Sequence, residues 1–397
     1  MASKTLKKVR FGIVGAGYIG KWHAQTILKQ RSPKMTVGAI ADSFGDAAQR
    51  AGEQFGIPAF TDPVKMFESG LIDAVIVGTP HFWHAPVAIQ AARAGLHVMC
   101  EKPLAATIGP ARAMVEACRK NGVAMGSMLQ LRTAPAMRKI KEMVDGGRLG
   151  DLLRVSLVCT SWYRTQAYYA SSPWRGTWNG EGGGILQNQA PHQMDVFQWI
   201  GGMPSSVTSV MSTRLHDIEV ENTAHVVFGY EGEKTGYFFA TTSELPGGDT
   251  FTLVGDRGTL VWENNTLRFG QLAQPVSKHI FECQEPRADF IPAPRCTWKE
   301  VKIPARSGGS HINVFRPFVD HLLKGTPMVA SGEDGLNEVE LANAAYVSAF
   351  KGRTVQLPVD AEEVERVLAK LEKERSRDGG VSQRAEARKA LRKLVGS

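Results

Sequence analysis

The sequence has few of the patterns that mark disulfide-linked, metal-binding or membrane-spanning proteins. Its 397 residues include five cysteines, which are scattered along the chain and form no Cys-x-x-Cys pair. This spacing argues against a disulfide framework and a structural zinc site, and it predicts a reducing, cytoplasmic environment. No apolar run approaches the ~20 residues of a membrane-spanning helix, so no membrane partner is expected. Glycines interrupt the apolar stretch after the basic N-terminus, so no signal peptide is predicted either.

Excess charge is also missing from most of the chain, although the formal net charge is +8. Much of the positive charge lies in "KTLKK" near the N-terminus and in residues 375–397, "RSRDGGVSQRAEARKALRKLVGS". A basic tail on a near-neutral body does not form a nucleic-acid-binding face, so we expect no nucleic-acid partner. The tail is predicted to be solvated or to pack on a neighbouring subunit.

A glycine motif near the N-terminus indicates a dinucleotide-binding domain. A β-rich run leads into "GAGYIG", residues 15–20, and a helix-like stretch follows. Gly15 permits a tight turn, Gly17 lets the backbone approach a pyrophosphate, and Gly20 allows the helix to pack closely on the strand. A second strand ends in Asp42, whose carboxylate suits ribose hydroxyls and repels a 2′-phosphate. NAD is therefore favoured over NADP.

Strands and helices continue to alternate up to about residue 130, which predicts a doubly wound parallel sheet in an α/β Rossmann domain. From about Asp151, alternating β-rich segments predict an antiparallel sheet with helices on one face, an α+β domain. A partner subunit is the simplest cover for the other face, so we expect a homo-oligomer, either a dimer or a tetramer. The predicted segments are a cofactor-binding domain over 1–130, a substrate-binding and oligomerisation domain over 131–360 and a basic helical extension over 361–397.

Three stretches, in order, carry a family resemblance: "GIVGAGYIGKWHA", "GTPHFWHAPVAIQAARAGLHVMCEKPLA" and "GGGILQNQAPHQMDVFQWIGG". They resemble the Gfo/Idh/MocA family of NAD(P)-dependent oxidoreductases, and the resemblance extends to about Asp360. It implies a Rossmann domain followed by a domain with a large, open, mostly antiparallel sheet. It also implies a carbohydrate or polyol substrate that reacts at a secondary carbinol. The lysine of the family's Glu-Lys-Pro motif matches Lys102, and the family histidine matches His192.

Lys102 is the predicted centre of the chemistry. Burial and a nearby cationic ring lower the pKa of such a lysine. As an amine it can take a proton from an alcohol, and as an ammonium it can polarise a carbonyl. Glu101 is expected to orient the local backbone or the lysine. The full predicted cofactor-binding set is Gly15, Gly17, Tyr18, Ile19, Gly20, Asp42, Thr79, Pro80, His84, Glu101 and Lys102.

Residues 162–184, which we call the aromatic segment, are crowded with Trp, Tyr and Arg. Aromatic rings stack on pyranose faces and polar side chains satisfy hydroxyl groups, so the segment suits carbohydrate. Interface packing explains the same composition equally well. The predicted substrate-binding residues are Gln130, Tyr163, Arg164, Trp174, Arg175, Asn188, Gln189 and His192.

The stretch "GGGILQNQAPHQMD" departs from the family at one position, because many members carry Asp where this chain has Asn188. An amide takes no proton near neutral pH, which leaves Lys102 and His192 as the titrating pair. Asp195 is expected to be structural or to support the site from behind, by orienting His192 or capping nearby backbone. The glycines are expected to let backbone approach the substrate. No metal site is predicted, since His81 and His84 lie near no sequence carboxylate.

These observations predict an NAD-dependent dehydrogenase that acts on a sugar, glycoside or cyclitol, with Lys102 and His192 handling the proton. Two alternatives stay open. Oxidation at one ring carbon acidifies its neighbour, so the same site also suits an NAD-dependent glycosidase that works by transient oxidation and elimination. The chain also fits a non-catalytic NAD-sensing binding protein.

Overall fold

Two β-sheets organise the chain, and a computed structural model describes them over residues 6–287, 289, 291–304, 308–375 and 383–395. The strands are β1 (Val9–Val14), β2 (Met35–Ala41), β3 (Ala59–Phe60), β4 (Ala74–Val77), β5 (His97–Cys100), β6 (Met125–Ser127), β7 (Leu152–Cys159), β8 (Ser206–Ser212), β9 (Thr223–Gly229), β10 (Thr235–Thr241), β11 (Asp249–Gly255), β12 (Gly258–Glu263), β13 (Thr266–Leu272), β14 (Cys296–Glu300) and β15 (Val355–Gln356).

The α-helices are α1 (Tyr18–Lys29), α2 (Gly45–Phe55), α3 (Pro63–Glu68), α4 (His84–Arg93), α5 (Ile108–Lys120), α6 (Pro135–Asp145), α7 (Gln166–Ala170), α8 (Pro191–Gly201), α9 (Val276–Glu282), α10 (Ile312–Lys324), α11 (Gly332–Lys351), α12 (Ala361–Arg375) and α13 (Gln383–Val395). Two 3₁₀ turns span His81–Trp83 and Gln130–Thr133, and one π-helical turn spans Ile185–Gln189.

The first sheet has the order β3-β2-β1-β4-β5-β6, and every neighbouring pair is parallel. Helices cover both faces, so β4 is buried at every position. The strand order reverses between β1 and β4, which opens a crevice at the carboxyl ends of these strands. The predicted α/β Rossmann architecture is confirmed. β3 was not predicted, because two residues are too few to show a periodicity.

The second sheet has nine strands in the order β14-β13-β12-β11-β7-β10-β9-β8-β15. All neighbours are antiparallel except β7 and β10. Alternate side chains on one face, such as Leu157, Phe238 and Leu260, are buried. The large, mostly antiparallel sheet is confirmed. The sequence did not predict β13 to β15, since β14 is exposed throughout and β15 has only two residues.

The opposite face of this sheet has no cover within the described part of the chain. Val210 is 68% exposed, Val227 53% and Trp298 51%. Val210 and Val227 alternate with buried side chains along their strands, and Trp298 pairs with Gly270, the neighbour of the inward-facing Phe269, so all three lie on the outer face. Apolar side chains on a broad sheet surface mark an association site.

Helix α11 lies between the two sheets and joins them through buried polar contacts. Near the first sheet, Glu338 accepts a hydrogen bond from the Leu104 backbone at 3.2 Å, and Asn343 accepts one from the Ile108 backbone at 2.8 Å. Near the second sheet, Tyr346 donates to Glu221 at 2.7 Å. Because unsatisfied buried polar groups are costly, these bonds fix how the two sheets face each other.

The C-terminal region packs on its own chain, which corrects the expectation of a solvated tail or an arm on a neighbouring subunit. In α12, Val364 and Leu368 are buried in the core. In α13, Arg384 is buried and paired with Glu365 at 2.8 Å and Glu372 at 3.1 Å. The helix contacts α4 and the His81–Trp83 turn. Residues 376–382 and 396–397 of the predicted extension lie outside the described residues.

Within the described ranges, no helix combines the length and apolar character that crossing a bilayer demands.

Candidate active site

The glycine loop after β1 is shaped to receive a dinucleotide. Gly15 has a φ of +103°, and a Cβ there would lie 2.5 Å from the Gly78 carbonyl oxygen. A Cβ on Gly20 would lie 1.8 Å from the Gly15 carbonyl oxygen, so the helix packs directly on the turn. A Cβ on Gly17 would meet no atom within 4 Å. Gly17 therefore faces open space at the N-terminus of α1, where free N–H groups favour a phosphate.

Asp42 holds this loop from the end of β2. Its Oδ2 accepts a hydrogen bond from the Ala16 backbone at 2.7 Å, and its Oδ1 accepts one from Phe44 at 2.9 Å. A carboxylate has about four acceptor positions, so two remain for ribose hydroxyls. Tyr18, which begins the helix and was predicted to bind the cofactor, is 82% exposed beside the same loop. The residues present therefore fit NAD.

His84 joins the two remaining loops of the crevice. Its Nε2 lies 2.8 Å from the Thr79 carbonyl oxygen, and its Nδ1 lies 2.9 Å from that of Pro103. Burial lowers the pKa of this ring. Both nitrogens are thus engaged with backbone, so His84 positions the segments that carry Pro80 and Lys102.

Lys102 follows β5 and reaches across to the π-helical turn. Its Nζ donates to the Asn188 carbonyl oxygen at 2.8 Å and faces the Asn188 side-chain oxygen at 3.4 Å. Burial lowers the pKa of Lys102, while the carboxylates of Glu101, Glu338 and Glu181 oppose that change. The structure therefore brings Lys102 and Asn188 together, although 85 residues separate them in sequence.

His192, at the start of α8, lies beside Gln130. The Gln130 Nε2 and the His192 Nε2 are 2.8 Å apart. As the amide is placed, Gln130 donates, which puts the ring proton on Nδ1, an atom that has no hydrogen-bond partner among the described residues. Burial and the charge of Lys102 lower the pKa of His192 to about 3. The ring is therefore neutral at pH 7, which leaves Lys102, with its lowered pKa, as the member of the expected pair that can carry a positive charge there.

Asp195 forms a buried ion pair with Arg132, a structural contact, and no hydrogen bond from it to His192 is found among the described residues. Its two oxygens accept from Arg132 at 2.7 and 2.8 Å, and Arg132 also reaches Asp334 at 2.8 Å. Both partners of this bidentate pair are buried. The pair fixes α8 against the Gln130–Thr133 turn and α11, so Gln130 and His192 face each other.

Glu181 is a site residue that sequence analysis missed. Its Oε1 accepts a hydrogen bond from the Asn188 side-chain amide, and its Oε2 accepts from the Gly176 backbone at 2.7 Å. Burial raises the pKa of Glu181 to about 7, against the opposing effect of these hydrogen bonds. Asn188 thus stands between an amine and a carboxyl group. The available signal was a lone acidic residue directly before the glycine run.

The glycines of that run pack against protein, which corrects the expectation that they approach substrate. A Cβ on Gly183 would lie 2.2 Å from the Tyr346 hydroxyl, and one on Gly184 would lie 1.7 Å from the Glu221 carbonyl oxygen. Glycine is needed here because α11 and the β8–β9 connection press directly on the backbone.

The aromatic segment extends to the same place. Arg164 donates to the Gln189 side-chain oxygen at 3.0 and 3.2 Å, and Gln189 donates to Tyr168 at 2.9 Å. Trp174 packs edge-on against His81, with ring centroids 5.6 Å apart. The predicted substrate residues Arg164, Trp174, Arg175, Asn188 and Gln189 therefore belong to one continuous group. Tyr163 stands at its outer margin, 42% exposed.

His23, Glu101 and His311 offer three donor atoms within 4.8 Å of one another. The His23 Nε2 donates to the Glu101 Oε1 at 2.6 Å. Two nitrogen or oxygen ligands of one zinc ion lie about 3.3 Å apart, since each sits ~2.0 Å from the metal. The 2.6 Å between His23 and Glu101 is therefore a hydrogen-bond distance, shorter than the spacing of two zinc ligands. Despite burial, this hydrogen bond lowers the pKa of Glu101 to about 2, so Glu101 stays ionised beside Lys102.

Comparison with known proteins agrees with this geometry. Residues 9–128 match the model described as "Oxidoreductase family, NAD-binding Rossmann fold", and residues 137–261 match the "GFO/IDH/MocA C-terminal domain". An uncharacterized oxidoreductase of Streptococcus pneumoniae is 30% identical to this chain. The match covers 53% of this chain and 55% of that protein. D-apiose dehydrogenase of Paraburkholderia graminis is 25% identical over 89% of this chain and 91% of its own length.

Among solved structures, the WlbA dehydrogenase from Bordetella pertussis in complex with NADH and UDP-GlcNAcA has a TM-score of 0.73 and 28% identity. The match covers 89% of this chain and 100% of that one.

Replacing Asp42 tests the cofactor site. Asp42→Ala removes the acceptors for ribose and the charge that repels a 2′-phosphate, so KM for NAD rises about 10-fold and the preference over NADP shrinks. Initial rates with both cofactors measure this change. Asp46→Ala, whose side chain is 94% exposed in α2, is the matched control. An unchanged NAD/NADP ratio in Asp42→Ala would contradict the assignment.

Proposed function

The chain belongs to the GFO/IDH/MocA oxidoreductase family, and from this premise we propose that it transfers hydride between NAD and a secondary hydroxyl of a sugar, glycoside or cyclitol. One observation carries the proposal. The Lys102 Nζ sits at the crevice end of β5, in a buried setting that lowers its pKa, and faces a group of amide and imidazole side chains from the other half of the chain. A similar protein, D-apiose dehydrogenase, is named for a sugar substrate.

In the proposed mechanism, NAD supplies the hydride acceptor when bound. Gly17 and the N-terminus of α1 hold the phosphates, and Asp42 holds the adenosine ribose. Lys102, in its amine form, accepts the proton of the substrate hydroxyl. The neutral His192 offers its Nδ1–H to the same oxygen, because Gln130 already occupies Nε2. The amides of Asn188 and Gln189 bind the neighbouring hydroxyls.

Glu181 stands behind Lys102 in this mechanism. The Asn188 side-chain oxygen faces the Lys102 ammonium, while its amide nitrogen donates to Glu181. Asn188 cannot accept the proton itself, but its dipole couples the two charged groups. An ionised Glu181 favours the ammonium form, and a protonated Glu181 favours the amine form.

We also propose a homo-oligomer that buries the outer face of the second sheet, with domain boundaries near residues 130 and 360 and a cytoplasmic location. The apolar side chains of Val210, Val227 and Trp298 support this association.

Lys102→Met removes the proton acceptor and keeps most of the side-chain volume. We expect kcat/KM for pyranoside oxidation to fall by roughly 10³-fold, within the usual range for loss of a general base. NADH formation at 340 nm over a panel of sugars and cyclitols provides the measurement. Lys120→Met is the control, since Lys120 lies at the far end of α5 with a side chain that is 70% exposed.

Undiminished activity in Lys102→Met would refute the mechanism. Release of aglycone from a glycoside without accumulation of NADH would instead identify the glycosidase, and cofactor binding without any turnover would identify the sensor.

Glu181→Gln tests the coupling through Asn188. Above pH 7 the Glu181 carboxyl group is largely ionised and raises the pKa of Lys102. Removing this charge lowers the pKa of Lys102, so the rise of kcat with pH shifts to lower pH by about one unit. The pH profile of alcohol oxidation measures the shift, with Glu233→Gln as an exposed control. A shift to higher pH, or no shift in a variant with wild-type Tm, would exclude the coupling.

Val227→Lys tests the proposed oligomer. A lysine on the outer face introduces a charge that association would have to desolvate, so the mass in solution falls to that of a smaller species. Size-exclusion chromatography with light scattering gives the mass, and Gln49→Lys, at an exposed position of α2 away from the second sheet, is the control. A wild-type protein that is monomeric at all concentrations would remove this part of the proposal.

A further inference from the structure

The aromatic segment contains a ladder in which two guanidinium groups alternate with three aromatic rings. Arg164 lies over Trp162 at 5.0 Å and over Tyr168 at 4.5 Å. Arg175 lies over the same Tyr168 at 4.5 Å and over Trp174 at 4.7 Å. Tyr168 is thus shared by both cations. Ring faces attract the planar guanidinium and hold its plane in one orientation, which pre-organises its N–H donors.

Neither arginine has a carboxylate partner among the described residues. Arg164 donates to the neutral Gln189 side chain and to the Tyr163 carbonyl oxygen, and Arg175 donates to the Tyr168 hydroxyl. The Arg175 Nε is buried and has no acceptor in the described part of the chain. Arg164 and Arg175 are half-buried, whereas the fully buried arginines each hold two carboxylates, Arg132 with Asp195 and Asp334 and Arg384 with Glu365 and Glu372. Within the described residues the ladder thus forms no ion pair, and the one carboxyl group that senses its charge, Glu181 beside Arg175, has a pKa raised to about 7 by burial and is only partly ionised at neutral pH.

The ladder ends at the reaction site. Gln189, which binds both Arg164 and Tyr168, is the neighbour of Asn188, the residue that contacts the Lys102 Nζ. Trp174 at the inner end packs on His81. The positive charge of Arg175 also contributes to the lowered pKa of Lys102. The charge of Arg175 thus acts directly on the lysine that performs the chemistry, and Arg164 is joined to the site through Gln189.

We propose that the substrate carries an anionic substituent, a carboxylate or a phosphate, which Arg164 and Arg175 bind while Lys102 acts on a ring hydroxyl. This inference rests on the proposed function and names its substrate class. A carboxylate would balance one of the two guanidinium charges and a phosphate up to both, and either anion would offer an acceptor to the free Nε of Arg175. Carboxylate and phosphate groups can also accept two parallel hydrogen bonds from one guanidinium, whereas a hydroxyl oxygen does not match this bidentate geometry.

The test compares matched substrates in the complete protein. Methyl pyranosides of the gluco, galacto and manno series are each supplied in neutral, uronate and 6-phosphate forms, and NADH formation gives kcat/KM for each. We expect an anionic form to exceed its neutral counterpart by at least about 10-fold at low salt, which corresponds to one charge-assisted contact. The advantage should shrink as ionic strength rises. The uronate and the phosphate arms distinguish the two sources of charge.

Two variants locate the effect. Arg164→Met and Arg175→Met should lower kcat/KM for the anionic form at least about 10-fold more than for the neutral form. Arg164→Lys should recover only part of the loss, because lysine keeps the charge without the planar N–H donors. Arg119→Met, 69% exposed in α5, is the control. Because the comparison is between two substrates of one variant, partial loss of fold does not imitate the result.

Equal kcat/KM for neutral and anionic forms, or an equal loss of both in the arginine variants, would overturn the inference while the dehydrogenase function stands.

If no member of the panel reduces NAD, the proposed function fails. Calorimetric titration of the NAD-saturated protein with the uronate, the 6-phosphate and the neutral glycoside then decides the inference by itself. Tighter binding of an anion that weakens in Arg175→Met supports it, and no difference between the three ligands rejects it.

Discussion

The satisfaction of buried polar groups along α11 is the constraint on which the rest of the molecule depends. This helix has no solvent-facing side over much of its length, yet it carries Glu338, Asn343 and Tyr346. Glu338 and Asn343 find their partners just after the Glu-Lys-Pro motif, and Tyr346 finds its partner in the β8–β9 connection. A rotation or shift of α11 would leave several of these groups unpaired at once, which makes one arrangement strongly preferred.

This fixed arrangement explains how three glutamates in one site have three different pKa values. Burial raises the pKa of Glu338 to about 8 and that of Glu181 to about 7. Glu101 is equally buried, but the hydrogen bond from His23 lowers its pKa to about 2. Lys102 therefore has one permanent anion beside it and two carboxyl groups that change charge near neutral pH. Small changes in pH or in bound charge alter the balance between its amine and ammonium forms.

Much of the cofactor crevice was predictable because its requirements are local. The turn at Gly15, the close packing at Gly20 and the carboxylate at Asp42 each follow from residues within a single strand–helix–strand unit. The substrate half behaved differently. Glu181 was missed because an isolated glutamate in a loop has no periodicity or spacing to mark it. The partners of Asp195 and of the glycine run, Arg132, Tyr346 and Glu221, lie far away in sequence, so no local pattern indicates them.

By itself, the sequence determined the two kinds of sheet, the dinucleotide loop and the candidates Lys102 and His192. Hydrophobic periodicity and glycine spacing act over a few residues, so they can be read along the chain. Only the tertiary structure decided which groups meet: Asn188 between Lys102 and Glu181, Asp195 with Arg132, α13 folded back on α4, and two arginines stacked on Tyr168. Charges and pKa values depend on burial and on neighbours brought together by folding, and no local pattern records either of them.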